Sequence, residues 1–69
     1  MSELCIQING ASRTVTGPAS LAGLLTHLGL DPRMVVVERN REIVRRDSLE
    51  EVAVQEGDVI ELVHFVGGG

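Results

Sequence analysis

Three glycines, Gly67-Gly68-Gly69, follow directly on the run Asp58-Val59-Ile60-Glu61-Leu62-Val63-His64-Phe65-Val66. They bring no side-chain chemistry, and they precede no element that a turn or a cap would serve. The group they present is the α-carboxylate of Gly69. Such a group ordinarily titrates at about 3.3–3.7, so at neutral pH it is an anion and a nucleophile. Activated by another protein, it becomes an acyl donor. Extended from Val66 to Gly69, the tail reaches roughly 13 Å, at about 3.3–3.6 Å per residue, and without side chains it can thread a narrow cleft. Docking it costs the backbone freedom of which glycine has most to lose. A frayed end has the same composition, so the tail acquires meaning only from the elements behind it.

The other reactive side chains do not group. Cys5 is the only cysteine, which leaves no internal disulfide, iron–sulfur or cysteine-rich zinc ligand set. Strand alternation sets it opposite Leu4 and Ile6, with no helix N-terminus or basic partner to activate it, and it reads as a bystander. His27 and His64 have no metal-ligand spacing with each other or with the cysteine. His27 falls on a solvated helix face, and His64, in phase with Ile60 and Leu62 and near the tail, reads as a packing residue, with contact to a partner as the alternative. Turn and capping duties account for Glu50, Glu51, Glu56 and Asp58. The glycine triplet is not a phosphate loop, because no lysine, serine or helix follows it. No catalytic residue, no metal site and no cofactor bound by this chain are expected. The chain reads as a substrate of other enzymes and not as an enzyme.

Sixty-nine residues make one small domain, which buries only roughly 60% of its unfolded surface. A net charge of −4 and a single aromatic, Phe65, argue against a nucleic-acid surface, which needs basic stripes and stacking platforms. No apolar stretch approaches the roughly 20 residues of a membrane span, and the N-terminus lacks a secretory pattern, so a cytoplasmic protein is expected. All six basic residues are arginines. Without a lysine ε-amine the chain cannot be extended into lysine-linked copies of itself.

Leu4, Ile6 and Ile8 alternate with Glu3, Cys5 and Gln7, the period of a half-buried strand. Asn9-Gly10 tolerates the positive φ of a tight hairpin, and Arg13-Thr14-Val15-Thr16 returns as a second strand. After Gly17-Pro18, Ser20 is placed to cap a two-turn helix whose apolar face is Leu21, Leu24, Leu25 and Leu28, with Gly29 as its C-cap and Pro32 blocking continuation. Gly23 inside it costs up to roughly 1 kcal/mol relative to alanine. Met34 to Glu38, a turn at Arg39-Asn40-Arg41, and Glu42-Ile43-Val44 read as a second hairpin. Ser48-Leu49-Glu50-Glu51 has capping-box spacing and predicts a single helical turn. Gly57-Asp58 turns into the last strand. The order β-β-α-β-β-β with one helix on one sheet face is an α+β layer architecture, with residues 1–66 as the domain and 67–69 as a flexible glycine tail.

That order, closing on a strand with a diglycine end, resembles the ubiquitin-like β-grasp fold, a mixed sheet of about five strands with one main helix. More narrowly the chain resembles the sulfur carrier proteins of thiamine biosynthesis, the ThiS family. The resemblance is carried by Asn9-Gly10, by Leu21, Leu24-Leu25 and Leu28-Gly29-Leu30, by Val35-Val36-Val37-Glu38-Arg39-Asn40 with Glu42-Ile43-Val44, and by Gly57-Asp58-Val59-Ile60-Glu61-Leu62-Val63 with Phe65-Val66-Gly67-Gly68-Gly69. Two departures, Arg41 where the family often has glycine and Arg45 where proline is common, leave the turn type at Asn40-Arg41 open. The resemblance implies a carrier cycle. A ubiquitin-activating-like enzyme uses MgATP to adenylate the Gly69 carboxylate, sulfur ultimately from cysteine displaces AMP, and thiazole synthase takes the sulfur from the resulting thiocarboxylate. A separate sulfur-donor protein is compatible with this cycle.

Alternatives remain at this level. The small subunit of molybdopterin synthase shares the fold and the diglycine end, a ubiquitin-like modifier ends in an isopeptide bond, and a plain interaction module has no use for the terminus. Alternation assigns Ile6, Ile8, Leu24, Leu25, Leu28, Val35, Val37, Ile60 and Leu62 to the core. It sends Val59, Glu61, Val63 and Phe65 to the opposite sheet face, where Val36 joins them. Val36, Val63 and Phe65 of that face, together with Val66 next to them in the chain, are the expected partner-binding patch at the root of the tail.

Overall fold

The computed structural model describes residues 3–17 and 20–65. Two hairpins and one helix form where the residue patterns place them. Strands β1 (Glu3–Ile8) and β2 (Ala11–Thr16) are followed by helix α1 (Leu21–His27), then by β3 (Val35–Arg39), β4 (Glu42–Val44) and β5 (Val59–His64). Single 3₁₀ turns at Pro32–Met34 and Arg46–Ser48 lie before β3 and after β4. The sheet order is β2-β1-β5-β3-β4. Both hairpins are antiparallel, β5 runs antiparallel to β3, and β5 runs parallel to β1 through Gln7 opposite Val59 and Ile8 opposite Ile60. The last strand in the chain is thus the central strand of the sheet.

Helix α1 covers one face. Ser20 caps it as expected, its Oγ accepting from Gly23 N–H at 3.2 Å. The two N–H groups before that, on Leu21 and Ala22, donate to the carbonyls of Val52 and Leu49 at 2.9 and 3.0 Å, so the segment between β4 and β5 completes the cap. At the other end Gly29, at φ +74°, lies one residue beyond the capping residue Leu28. Gly29 N–H reaches Thr26 O at 3.0 Å and Leu30 N–H reaches Leu25 O at 2.9 Å, the paired bonds of a Schellman ending.

From Ser48 the chain makes one hydrogen-bonded turn, Glu51 N–H donating to Ser48 O at 3.0 Å, but no regular helix starts there. The 3₁₀ turn begins earlier and ends at Ser48, and its N-cap, Arg45, makes no side-chain capping bond. The carbonyls of Leu49 and Val52 serve the N-terminus of α1, and Leu49 is turned into the core, 2% exposed. A helix started at Ser48 would aim those carbonyls along its own axis.

Ile6, Ile8, Leu24, Leu25, Val35, Val37 and Ile60 are buried together as expected, while Leu28 and Leu62 pack half-buried at the margin. Val15, Leu21, Leu49 and Val54 complete the core. Leu49 and Val54 come from an irregular stretch with no period to betray them.

Both hairpin turns have two consecutive residues at positive φ: Asn9 at +51° with Gly10 at +83°, and Asn40 at +51° with Arg41 at +73°. This is the type I′ geometry whose twist matches the strands, and it closes the question of the second turn. Arg41 holds the left-handed region without being glycine or asparagine, a conformation that costs a side-chain-bearing residue roughly 1–2 kcal/mol. Arg41→Gly is accordingly expected to stabilise the fold by about 0.5–1 kcal/mol, after allowance for the extra freedom of glycine in the unfolded chain. A denaturant midpoint that does not rise would remove strain from the account of this turn.

Candidate functional site

The site is the C-terminal end of β5 and the sheet face around it. Val66, Gly67, Gly68 and Gly69 lie outside the described residues, so the geometry concerns the root from which they leave. That root is fastened on both sides. Phe65 N–H donates to Met34 O at 2.7 Å, and Met34 is fixed by the 3₁₀ turn in which its own N–H reaches Asp31 O at 2.9 Å. Asp31 caps this turn, accepting from Arg33 N–H at 2.9 Å and from the Arg33 guanidinium at 2.8 Å. The side-chain bond first, and the backbone bond after it, hold the Asp31 carboxyl down to about 2.

On the β1 side, β5 is held by a side chain once the backbone ladder has ended. Asn9 N–H donates to Ile60 O at 2.9 Å. Two residues on, the Asn9 amide takes both roles of a strand residue: Oδ1 accepts from Leu62 N–H at 2.7 Å and Nδ2 donates to Leu62 O at 3.2 Å. Asn40 does the equivalent at the start of β5. Its Oδ1 accepts from Val59 N–H at 3.0 Å and its backbone N–H donates to Val59 O at 2.8 Å.

Asp58 begins the strand. It is 4% exposed and accepts from Arg39 Nε at 2.9 Å, Arg39 Nη2 at 3.3 Å, Asn40 Nδ2 at 3.2 Å and Gln55 N–H at 2.8 Å. Burial alone pushes this carboxyl upward, but the bonds from Arg39, Gln55 and Asn40 together outweigh it and leave the group below its ordinary 3.8. Glu56 ties the same corner to β1, its Oε1 accepting from Cys5 N–H at 2.9 Å. The turn duties expected of Glu56 and Asp58 are met.

Val36 and Val63 are directly paired across β3 and β5, on the sheet face away from the helix. Val63 is 59% exposed and Phe65 50%, and Val36 is half-buried. The structure adds Ile43, 69% exposed, which β4 sets opposite Glu38 on the same face. Counting back through a two-residue turn from the Arg39–Glu42 pair yields this position, so the signal was in the hairpin register. Cys5 is free and exposed, and His27 is exposed as expected. His64 is exposed too, which corrects the expectation that packing accounts for it: it stands at the end of β5, opposite Val35, beyond Leu62, where this strand leaves the core. Among the described residues no three His, Cys, Asp or Glu side chains gather as a metal site, and no helix is long and apolar enough to cross a membrane.

A mixed five-stranded sheet with a parallel central pair and one helix on one face defines a ubiquitin-like β-grasp protein. The profile of the ThiS family matches residues 6–69, and the chain belongs to that family. The sulfur carrier protein ThiS of Bacillus subtilis is 40% identical over 65 residues, covering 93% of this chain and 98% of that protein. A thiazole synthase of Paramagnetospirillum magneticum is 48% identical over 62 residues, which are 90% of this chain but 19% of that protein. This chain therefore spans only a small part of that relative's length. The crystal structure of the thiamine biosynthesis protein ThiS from Geobacter metallireducens superposes with a TM-score of 0.79 at 33% identity, covering 96% of this chain and all of the other.

The lowered Asp58 carboxyl fixes the sign of one pH effect. Its contribution is fully present above the unfolded value and is lost as the pH falls through the lower folded value. Asp58→Asn is expected to cost about 1.5–3 kcal/mol at neutral pH, as for bonds to a charged group, with the gap to wild type narrowing in acid. Chemical denaturation over a pH series is the check, and a gap that is constant into acid would assign the linkage to another group.

Proposed function

We propose that this chain is a sulfur carrier of thiamine biosynthesis and that the Gly69 carboxylate is the group that carries the sulfur. The observation that bears most weight is membership of the ThiS family over residues 6–69, together with a match to the B. subtilis sulfur carrier over 98% of that protein. In this reading an adenylating enzyme binds MgATP, and a carboxylate oxygen of Gly69 attacks the α-phosphorus and expels pyrophosphate. The mixed anhydride has lost the negative charge that repels nucleophiles and has gained AMP as a leaving group. Attack of a sulfide-level nucleophile, HS⁻, at the carbonyl carbon expels AMP, and loss of the S–H proton leaves a thiocarboxylate. That product is again an anion, resistant to water, and its soft sulfur remains nucleophilic for transfer to thiazole synthase.

The chain's own contribution is presentation. Asp58, Asn40 and Asn9 fix β5, the Phe65–Met34 bond fixes the root, and the Val36, Val63, Phe65 and Val66 patch orients the tail into each partner in turn. Catalysis belongs to the partners, and the chain acts in the cytoplasm as their protein substrate, with no cofactor, nucleic acid or membrane of its own. The occurrence of a similar stretch within a thiazole synthase supports that enzyme as the acceptor. It favours the thiamine pathway over the molybdopterin synthase subunit and over a protein modifier.

Adenylation needs the carboxylate at one point in a cleft. Deleting Gly69, or appending one alanine, is expected to abolish ATP–pyrophosphate exchange by the cognate adenylating enzyme while the unfolding midpoint stays put; normal exchange with either variant would overturn the carrier reading. Phe65→Ala, at the exposed root, is expected to weaken binding to that enzyme and to thiazole synthase by about 1–2 kcal/mol, in the range of truncated interface anchors. Unchanged calorimetric affinity for both would refute the patch and leave the tail chemistry standing.

A further inference from the structure

Val35 stands opposite His64, and Met34 and Phe65 continue that register by one pair. A hydrogen-bonded antiparallel pair exchanges two bonds. Here one is made, from Phe65 N–H to Met34 O at 2.7 Å, because Met34 N–H is turned back to Asp31 O at 2.9 Å. On the other side of β5 the last described bonds are those of the Asn9 amide to Leu62. The final described rung before the tail is therefore a single bond, and its acceptor belongs to the 3₁₀ turn Pro32–Met34 and not to a strand.

None of the turn's residues is buried, and its one described backbone bond to another element is the bond to Phe65. Its shape is set locally. Asp31 Oδ1 accepts from Arg33 N–H at 2.9 Å, an Asx turn, and the Arg33 guanidinium closes over the carboxylate with Nε 3.1 Å from Oδ1 and Nη2 2.8 Å from Oδ2. Pro32, first in the turn, presets its own φ. The two charged side chains are open to water, 41% and 75% exposed, so their pairing adds little to global stability. What the capped turn fixes is the direction of the Met34 carbonyl.

We propose that Asp31 is a positioning residue for adenylation: acting through Met34, it sets the point and the direction from which Gly69 is presented, an inference that rests on the carrier reading above. The carboxylate lies four residues beyond Phe65, so a swing at the root is carried outward along the whole tail. A misplaced reacting group slows the chemical step even when the cause lies far from it. The patch residues Val36 and Val63 are seated by the β3–β5 ladder, independently of the turn. Loss of the cap therefore acts on kcat and leaves the KM for the carrier near its wild-type value.

The test has two readouts. Amide hydrogen exchange, followed residue by residue by NMR on the free protein, reports the root, and ATP–pyrophosphate exchange with the cognate adenylating enzyme reports placement of the carboxylate. In Asp31→Ala the Phe65 amide is expected to exchange at least about 5-fold faster, the size of a lost cap, while the Leu62 amide, held by Asn9, keeps its rate and the thermal midpoint holds. The kcat of pyrophosphate exchange is expected to fall at least about 5-fold with little change in KM. Asp31→Asn retains an oxygen acceptor for Arg33 N–H and is expected to restore both readouts. An unchanged Phe65 amide in Asp31→Ala overturns the proposal, as does equal acceleration at Phe65 and Leu62, which would be general loosening. A loosened Phe65 with unchanged kcat overturns the positioning role and leaves the carrier reading standing. Absence of exchange activity with the wild type would fall on the carrier reading, whereas the hold of Asp31 on Phe65 is decided on the free protein.

Discussion

The carboxylate of Asp58 gathers four donors at the point where the central strand begins, and the rest of the sheet is set by where that strand lies. Two donors come from Arg39 and one from Asn40, so the second hairpin is docked through the same group that starts β5. The fourth, Gln55 N–H, closes the turn that delivers it. A buried carboxylate with fewer partners would be a liability in a domain this small. With all of them it is a pin from which register follows on both sides.

The two asparagines extend that pin along the strand. Each occupies the left-handed region at a hairpin, where a short amide side chain is tolerated, and each turns its amide onto the β5 backbone. The turns therefore do more than reverse the chain. They continue the ladder from β1 beyond the point where β1 itself has bent away, and from β3 to the first residue of β5. This is why a parallel contact of only two residue pairs suffices to seat the strand that carries the tail.

Much of this architecture was legible in the residues. Alternation in β1, β3 and β5, the helical spacing of Leu21, Leu24, Leu25 and Leu28, and the Asn-Gly turn are local patterns with local causes. The clamps were not legible, because Asn9 and Leu62 are 53 positions apart and a turn asparagine looks the same whether or not it reaches a distant strand. Asp58 read correctly as a turn acid, and its reach to Arg39 was hidden for the same reason. Ser48 misled because capping-box spacing says nothing about which distant N–H groups will claim the carbonyls that follow. Of the candidate site, Val36, Val63 and Phe65 were found by parity, Ile43 was missed at the short edge strand, and the tail itself lies outside the described residues.

The parallel ladder between Ile8 and Ile60 also sets where the entropic cost of the sheet falls. The hairpin of β1 and β2, the helix, and the hairpin of β3 and β4 are closed by neighbours in the chain, whereas β5 can be seated only by joining residues from opposite ends of it, after the largest loop closure the topology contains. The strand at the centre of the finished sheet is thus the one whose seating closes the longest stretch of chain. A copy in which β5 is not seated lacks the Phe65–Met34 fastening and the paired Val36–Val63 surface. In the carrier reading proposed above, only a fully folded copy presents the fastened root from which the tail leaves.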